Sequence, residues 1–453
     1  MMKKGSKGAW IMMLILLPAL VWAQQPPATP PQVYSFSAQQ AVDYGLKNNV
    51  QVKNALLQVQ IQEQTNREVT GSAYPQISAD GSLTYNAKLP VSLVPAEFFG
   101  GQPGEFAKVA FGLKWNSTYG VSFNQMLFDG QVFTGLQARK TLIDYNVKNV
   151  EVTEELIKAN IYKIYYQLIV GQRQIQLLDS NILVIRKLVN DNQIMYDNGF
   201  AEKLDVNRAS VQLANVETER LNAGNQIANG FLALKVLMGM PVRDSLVLTD
   251  TINDQQLKDG VLEASAFDYS QRKEFQSADL GIRLQEYNVQ RYKLSKIPTL
   301  SLNGYYNRNA QRDKFDFFKS DGDWFDISAF TLNLRIPIFS GFSTNARIAR
   351  ERLILRQNQN QREALKLDID NEIRSATNNF NYAVANLDNQ KKNMDLAQTV
   401  YDQTKKKYEV GTGSQTDINI AQNDLRLAQS NYINAMYSAI TARIDFLKAT
   451  GKL

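Results

Sequence analysis

The chain of 453 residues contains no cysteine and no histidine. It therefore cannot form disulfides, thiolate zinc sites, histidine-bound metal or haem sites, or Ser-His-Asp and Cys-His nucleophile systems. Paired Asp and Glu side chains could still support glycosidase chemistry. However, the sequence has no glycine-rich phosphate loop and no nucleophile elbow. These absences predict a protein that is not an enzyme and carries no cofactor or metal.

Long apolar runs are also missing after the N-terminus. Lys3, Lys4 and Lys7 precede an apolar run at 9–22, and small residues at Val21 and Ala23 mark a cleavage site. This pattern predicts a secretory signal peptide at 1–23, cleaved after Ala23. The alternative, a membrane anchor, is disfavoured because the run is shorter than the roughly 20 residues needed to span a bilayer. A membrane-inserted form would then have to be a closed β-barrel.

The excess of charge is small. The formal net charge is +6, and the three leader lysines account for half of it, which leaves +3 for the exported chain. The remaining basic residues alternate with acidic ones, which is typical of a solvated surface. The sequence therefore predicts no nucleic acid partner.

A long internal repeat is present. Tyr408 follows Tyr196 by 212 residues, and a whole set of residues recurs with the same spacing. The set is Tyr196, Gly199, Asp205, Val206, Ala209, Leu213 and Gly239, matched by Tyr408, Gly411, Asp417, Ile418, Ala421, Leu425 and Gly451. Solenoid repeats have periods of roughly 20–50 residues. The spacing therefore predicts two fused copies of one large structural half.

Helical periodicity dominates both halves. Apolar residues recur in alternating steps of three and four, a period that produces left-handed coiled coils. The predicted helices cover 38–72, 130–198, 203–238, 269–296, 341–410 and 417–449. A helix over 130–198 would be roughly 100 Å long at 1.5 Å per residue. The sequence therefore predicts an elongated rod rather than a globule.

Four short segments alternate apolar and polar residues, as outer-membrane barrel strands do. They lie near 77–85, 121–124, 300–307 and 330–336. The alternative is an ordinary half-buried sheet, but four such strands in an exported rod favour the barrel. Four strands cannot close a barrel, because known bacterial barrels have at least eight. Two or three copies of the chain would therefore have to share one barrel.

With these features, the chain resembles the TolC family of outer-membrane efflux and secretion channels. The resemblance rests on the opening helix at 36–52, on Pro75 and Pro298 before the strands, and on the strand exits QMLFDG and IPIFSG. It rests above all on the two matched turns at 196–206 and 408–418. The fold class it implies is mainly α, with long antiparallel coiled-coil helices forming an α-barrel. Four strands per chain would contribute to a shared 12-stranded outer-membrane β-barrel, with an internal two-fold repeat.

The resemblance also divides the chain into segments. The predicted division is a signal peptide at 1–23, a disordered leader at 24–35, a first repeat at 36–241, an equatorial connector at 242–266 and a second repeat at 267–453. The segment at 87–116 is longer than its partner in the second half and would lie in an outward loop or fold over the barrel mouth.

The family implies a homotrimer in outer-membrane lipid whose helical tube projects through the periplasm. It would receive substrate from a periplasmic adaptor (membrane fusion) protein and an inner-membrane pump of the RND or ABC type. The chain would be a passive exit, and multidrug-type efflux is favoured over type I protein secretion. The alternative is a periplasmic coiled-coil scaffold or adaptor without membrane insertion.

The two matched turns are the candidate functional site, at the lower tips of the tube. Residues expected at the adaptor contact are Gly199, Phe200, Gly411 and Thr412. Residues expected at the gate or lumen are Tyr196, Asp205, Tyr408 and Asp417. The two aspartates have a local explanation as helix caps and a functional one as acidic rings that favour cations. The two glycines have a local explanation as positions of positive φ.

The sequence departs from the family pattern at the second tip. Gly413 stands where well-known members carry an arginine that ties the closed entrance together, and Ile420 replaces a second acidic residue. The family's salt-bridge lock and a double acidic ring are therefore not expected here.

Overall fold

The computed structural model describes residues 32–252, 267–319 and 323–453. The predicted signal peptide, most of the leader and residues 253–266 of the connector lie outside these ranges. The elements, in chain order, are β1 Val33–Phe36, α1 Ala38–Asn48, α2 Val50–Gly71, β2 Gln76–Tyr85, β3 Val91–Pro95, β4 Phe106–Ala110, β5 Trp115–Phe128, α3 Gly130–Asp197, α4 Lys203–Met238, β6 Ser245–Leu248, α5 Lys273–Leu294, β7 Thr299–Arg312, β8 Phe325–Arg335, α6 Ser343–Glu409 and α7 Gln415–Ala449.

Two helices of nearly equal length form the long axis of the molecule. α3 has 68 residues and α6 has 67, and each is followed by a returning helix of about half that length, α4 and α7. The Asp129 side chain accepts a hydrogen bond from the Gln131 N–H at 2.8 Å and so caps the start of α3. The predicted long helices are confirmed with ends within two residues of the expected ones.

The first predicted helix is wrong in one respect, because it is not continuous. α1 ends at Asn48 and α2 starts at Val50. The Asn49 side-chain oxygen accepts from the N–H groups of Gln51 and Val52 at 2.7 and 3.2 Å. Asparagine at this position caps a new helix and turns the chain. The fourth predicted helix also begins later, since Tyr269–Gln271 form a 3₁₀ turn before α5.

The apolar core is a row of clusters along the rod. The largest surrounds Tyr165, whose ring is fully buried and whose hydroxyl donates to the Phe36 carbonyl at 2.8 Å. Further clusters lie between α3 and α4 around Ile185, and between α6 and α7 around Leu425. The predicted heptad residues thus pack in pairs of helices, as the 3.5-residue period requires.

The predicted leader and connector are wrong in one respect, because each contributes a strand to a small parallel sheet. β1 pairs with β6, with Val33 opposite Ser245 and Phe36 opposite Leu248. The leader is expected from the sequence to be disordered through residue 35, and the connector to be irregular. The sequence shows no sign of this pairing, because two four-residue strands about 210 residues apart produce no local pattern.

The four predicted barrel strands form one antiparallel sheet in the order β2-β5-β7-β8. β3 and β4 form a separate hairpin within the segment 87–116. α3 begins two residues after β5 ends, so the helical rod continues directly from one end of the sheet.

Candidate functional site

The first tip turn ends α3 at Gly199, which has a φ of 80°. The Gly199 N–H donates to the Tyr196 carbonyl at 2.9 Å, and the Phe200 N–H donates to the Met195 carbonyl at 2.8 Å. This pair of bonds satisfies carbonyls that the helix end leaves open. A Cβ at Gly199 would meet no heavy atom within 4 Å. The backbone conformation, rather than lack of space, therefore explains the glycine.

The second tip turn ends α6 in the same way at Gly411, where φ is 78°. The Gly411 N–H donates to the Tyr408 carbonyl at 3.0 Å, and the Thr412 N–H donates to the Lys407 carbonyl at 2.9 Å. A Cβ at Gly411 would also have open space around it, with no heavy atom within 4 Å. The local explanation given for both glycines is therefore confirmed.

The helix that follows the first turn begins without a side-chain cap. Glu202 occupies the N-cap position of α4, and its side chain accepts no hydrogen bond from the helix start. Asp205 lies three residues further on, and its Oδ1 is 3.9 Å from Nη1 of Arg208. The interpretation of Asp205 as a cap is therefore wrong. Its carboxylate stands in the first helical turn, where negative charge favours the helix dipole.

The helix that follows the second turn has a complete capping box. The Asp417 N–H donates to the Ser414 hydroxyl at 3.1 Å, and the Ser414 N–H donates to the Asp417 carboxylate at 3.3 Å. The Ser414 hydroxyl donates to the same carboxylate at 2.7 Å. These bonds from Ser414 hold the pKa of Asp417 below its ordinary value. The capping explanation is therefore confirmed for Asp417, which works together with Ser414.

Tyr408, in the second tip turn, contacts the end of α3 beside the first tip turn. Its hydroxyl lies 3.5 Å from the sulfur of Met195, at the end of α3. Partial burial, followed by the nearby charges of Asp191 and Asp205, raises the pKa of Tyr408. The matched tyrosine of the first tip, Tyr196, is more exposed, at 39%. The two tyrosines therefore occupy different environments despite their matched sequence positions.

Two residues expected at the adaptor contact point into solvent. The Phe200 side chain is 80% exposed. Thr412 is also exposed, and its hydroxyl donates to the Lys407 carbonyl at 3.1 Å. The first tip thus presents an apolar group and the second a polar one.

Gly413, at the position of the family arginine, is held close to the end of α6. Its N–H donates to the Lys407 carbonyl at 3.0 Å. A Cβ at this position would lie 3.0 Å from the Tyr408 backbone nitrogen. A side chain here would require a small backbone shift, so the close turn favours glycine.

A cavity of about 270 Å³ near the tips was not predicted from the sequence. It lies between α3, α6 and α7 and is lined on one side by Leu188, Tyr401, Tyr408 and Ile418. The amide nitrogen of Gln422, which is 5% exposed, has no hydrogen-bond partner among the described residues. The heptad pattern did not predict this cavity. It marks the apolar positions of α7, and Gln422 lies next to them.

At the other end of the rod, one face of the sheet is largely apolar, apart from the ion pair of Arg308 and Asp326 near the start of β8. Ile77 lies opposite Phe123, Phe123 opposite Gly304, and Gly304 opposite Phe330. Directly opposed residues share a face of a sheet. Other members of this face are Ala79, Leu83, Tyr85, Val121, Leu300, Leu302, Tyr306, Leu332 and Leu334. The predicted alternation is therefore confirmed in three dimensions.

The opposite face of the sheet is hydrophilic. Ser78 and Ser122 lie opposite each other, with their hydroxyl oxygens 2.6 Å apart, and Asp80 accepts from Ser122 at 3.3 Å. Asn303, Asn307, Thr331 and Asn333 continue this face. In the described part of the chain, β2 pairs only with β5, and β8 only with β7. Both outer strands therefore present an open hydrogen-bonding edge.

Two further kinds of feature would bear on function, a cluster of acidic side chains that could bind a metal ion and a helix that could span a membrane. Within residues 32–252, 267–319 and 323–453, no group of three or more Asp and Glu side chains is placed to hold a metal ion. In the same ranges, no helix has the length and apolar character required to cross a bilayer.

The sequence matches the family described as Outer membrane efflux protein over residues 41–240 and 269–452. It is 19% identical over 337 residues to outer membrane protein TolC of Vibrio cholerae, which covers 74% of this chain and 76% of the relative. It is 24% identical over 421 residues to outer membrane efflux protein BepC of Brucella suis, which covers 90% of this chain and 83% of the relative.

Solved structures show the same architecture. A crystal structure of CusC aligns with a TM-score of 0.75 at 16% identity, over 91% of this chain and 92% of that one. The CmeC outer membrane channel of Campylobacter jejuni aligns with a TM-score of 0.73 at 17% identity, over 92% and 85%. The predicted resemblance to the TolC family is confirmed. With the family match covering most of both halves, this chain belongs to the outer membrane efflux protein family.

Proposed function

We propose that three copies of this chain form an outer-membrane channel that gives substrates a passive exit from the cell. The observation that carries the proposal is the four-stranded sheet, which has an apolar face, a hydrophilic face and two open edges. In lipid, every backbone N–H and C=O must be paired within protein. The open edges of β2 and β8 must then be closed by other copies, and three copies give twelve strands.

The trimer can be tested by joining the edges chemically, because the chain has no native cysteine. Ser78→Cys on β2 and Ala329→Cys on β8 both lie on the hydrophilic face, at the two ends of one ladder row that crosses the sheet from edge to edge. A flexible bis-maleimide is expected to produce a covalent trimer on a denaturing gel. The matched control is Ser122→Cys with Tyr305→Cys, which lie opposite each other within one copy and should produce only a cross-linked monomer.

Two results would contradict the trimer. A ladder that stops at the dimer would support an eight-stranded barrel from two copies. The absence of any edge cross-link, together with a protein that remains in the soluble periplasmic fraction, would support the alternative of a scaffold without membrane insertion. Outer-membrane fractionation and heat-dependent gel migration provide the second readout.

The helical rod forms the periplasmic tube in this proposal. α3 carries the chain roughly 100 Å away from the sheet at 1.5 Å per residue, which separates the tips from the barrel. Tyr196, Asp205, Tyr408 and Asp417 would line the narrow end, where three copies of each carboxylate would favour cations. The arginine lock of relatives is absent at Gly413, and the contact between Tyr408 and Met195 is one link between the two hairpins.

We further propose that the tips dock a periplasmic adaptor through Gly199, Phe200, Gly411 and Thr412. The exposed Phe200 ring supports this role, because aromatic residues are enriched at protein interfaces. Through the adaptor, the channel would connect to an inner-membrane pump of the RND or ABC type. The family match supports an efflux channel, and we propose multidrug-type efflux rather than type I protein secretion.

The docking proposal predicts that the tip surface matters more than other exposed aromatic surface. Phe200→Ser should weaken adaptor cross-linking and raise the drug sensitivity of cells. The matched control, Phe98→Ser, removes a ring that is 78% exposed and lies between β3 and β4, at the far end from the tips. The double variant Gly199→Pro with Gly411→Pro should abolish docking, and unchanged export with unchanged cross-linking in it would exclude the tips as the docking site.

A further inference from the structure

The β3–β4 hairpin extends the long hairpin of β2 and β5 beyond the rest of the sheet. Trp115 lies opposite Arg312, where β7 ends. Beyond that point the Asn86 N–H donates to the Lys114 carbonyl at 2.7 Å, and the Phe111 N–H donates to the Pro90 carbonyl at 3.2 Å. Residues 86–114 therefore project past the neighbouring strands.

One face of the projecting hairpin is apolar and bare. Val91 lies opposite Ala110, Leu93 opposite Lys108, and Pro95 opposite Phe106. Because opposed residues share a face, these side chains form a single surface. Val91, Leu93 and Phe106 are 58%, 63% and 64% exposed. On the other face, Val94 and Val109 are half-buried.

A second apolar surface lies on the described residues of the loop between β7 and β8, at 313–319, and on the first residue of β8. Phe315 and Phe318 are 51% and 92% exposed, and Phe325, at the start of β8, is 61% exposed. Part of this loop already packs against its own long hairpin, where the rings of Trp115 and Phe315 lie 5.2 Å apart. That contact is on the β5 side of the hairpin and leaves the β2 side open.

Closure of the barrel would bring these two surfaces together. β2 and β8 are the two open edges, so β2 of one copy would pair with β8 of the next. The hairpin continues β2, and the aromatic loop precedes β8. They would therefore meet directly above the joint between copies. Lys108 lies on the bare face, and residues 313–324 contain four Asp and two Lys residues, a net charge of −2, so the two surfaces carry opposite net charge.

We propose that the bare face of the β3–β4 hairpin packs against the β7–β8 loop of a neighbouring copy. The partner is a second copy of this chain, which contributes Phe315, Phe318 and Phe325 to the contact. The contact would extend the joint between copies past the end of the barrel, and it rests on the proposed trimer. Each long hairpin would then lie between two aromatic loops, its own and that of its neighbour.

The test is a cross-link between Leu93→Cys and Phe318→Cys in the full-length protein, purified in detergent and in bilayer nanodiscs. The expected product is a covalent trimer. The control, Val94→Cys with Phe318→Cys, places the first cysteine on the other face of the hairpin and should react at least tenfold more slowly. The edge pair Ser78→Cys with Ala329→Cys is measured in parallel.

The parallel measurement separates the two proposals. If the edge pair yields a trimer and the Leu93–Phe318 pair yields only monomer, the hairpin contact is excluded and the trimer remains. If neither pair yields a trimer, both proposals fail. A spin label at Leu93→Cys that relaxes with lipid-dissolved oxygen in nanodiscs would show that lipid covers this face and would also exclude the contact.

A charge exchange supplies a second, independent test. Lys108→Glu should lower the temperature at which the trimer dissociates in SDS. Combining it with Asp313→Lys and Asp323→Lys should restore at least half of that shift. Equal dissociation temperatures for the wild type and Lys108→Glu would contradict a contact through this face.

Discussion

At Gly199 and Gly411 the two long helices end with the same pair of backbone hydrogen bonds, but the helices that follow begin differently. α7 starts with the reciprocal bonds of Ser414 and Asp417, whereas α4 starts at Glu202 without a side-chain cap. The matched residues therefore determine how both helices end. A single difference, serine against glutamate at the N-cap, determines how firmly the next helix begins.

The largest effect is expected from Gly199→Val and Gly411→Val. Both glycines have φ near 80°, and a β-branched residue in this region costs about 1–3 kcal/mol. Because the two ends have the same geometry, the two variants should increase local hydrogen exchange at Phe200 and Thr412 by similar factors. A large difference between them would mean that the turns are not equivalent. Gly224→Ala, inside α4, is a control that should not affect the tips.

The matched tyrosines should differ from each other. Tyr408 packs beside the cluster of Tyr401, Ile418 and Leu425, so Tyr408→Ala should lower the local free energy of unfolding by about 1–2 kcal/mol through lost apolar burial. Tyr196 is more exposed, so Tyr196→Ala should lower the local free energy of unfolding by less than half as much. Hydrogen exchange of the last turns of α6 and α3 measures both, and equal losses would contradict the difference in environment.

The helix starts provide the next test. Ser414→Ala removes the capping box and should destabilise the first turn of α7 by about 1 kcal/mol. Glu202→Ala should have little effect, because no capping bond is lost. Glu202→Ser should stabilise the first turn of α4 by a similar amount. If Glu202→Ala and Ser414→Ala speed exchange equally, the two starts are not distinguished by capping.

The smallest effect is a pH dependence confined to the second tip. The pKa of Asp417 is lowered by the hydroxyl and N–H of Ser414, so the carboxylate stabilises the folded turn at pH values above its unfolded pKa of about 3.9. That stability is lost as the pH falls below about 4 and through the lower folded pKa. After correction for intrinsic rates, exchange at the start of α7 should rise in this range. Asp417→Asn should remove the pH dependence.

Much of the fold was predictable because its signals are local and repeated. The apolar period of 3.5 residues placed α3, α4, α6 and α7 to within two residues, and a period of two identified all four strands of the β2-β5-β7-β8 sheet. The break at Asn49 was missed, although Asn followed by a helical pattern is a recognised start signal. It was missed because the apolar period runs through the break without interruption.

The tip site was only partly predictable. Positive φ at Gly199 and Gly411 followed from glycine between two helical patterns. The different roles of Asp205 and Asp417 could have been read from the residue three positions earlier, because Ser414 completes a capping-box pattern and Glu202 does not. The cavity beside Gln422 depends on three helices packing together. Neither feature follows from the periodicity of one segment.

Local sequence was enough to specify which residues are helical, where the long helices turn, and which strand residues share a face, because each of these depends on neighbours within a few residues. Three-dimensional packing was needed for the pairing of β1 with β6, the proximity of Tyr408 to Met195, and the choice of sheet edges that stay open. These features join segments about 200 residues apart or set the order of strands. The chain that lies between such segments allows many arrangements, and only packing selects one of them.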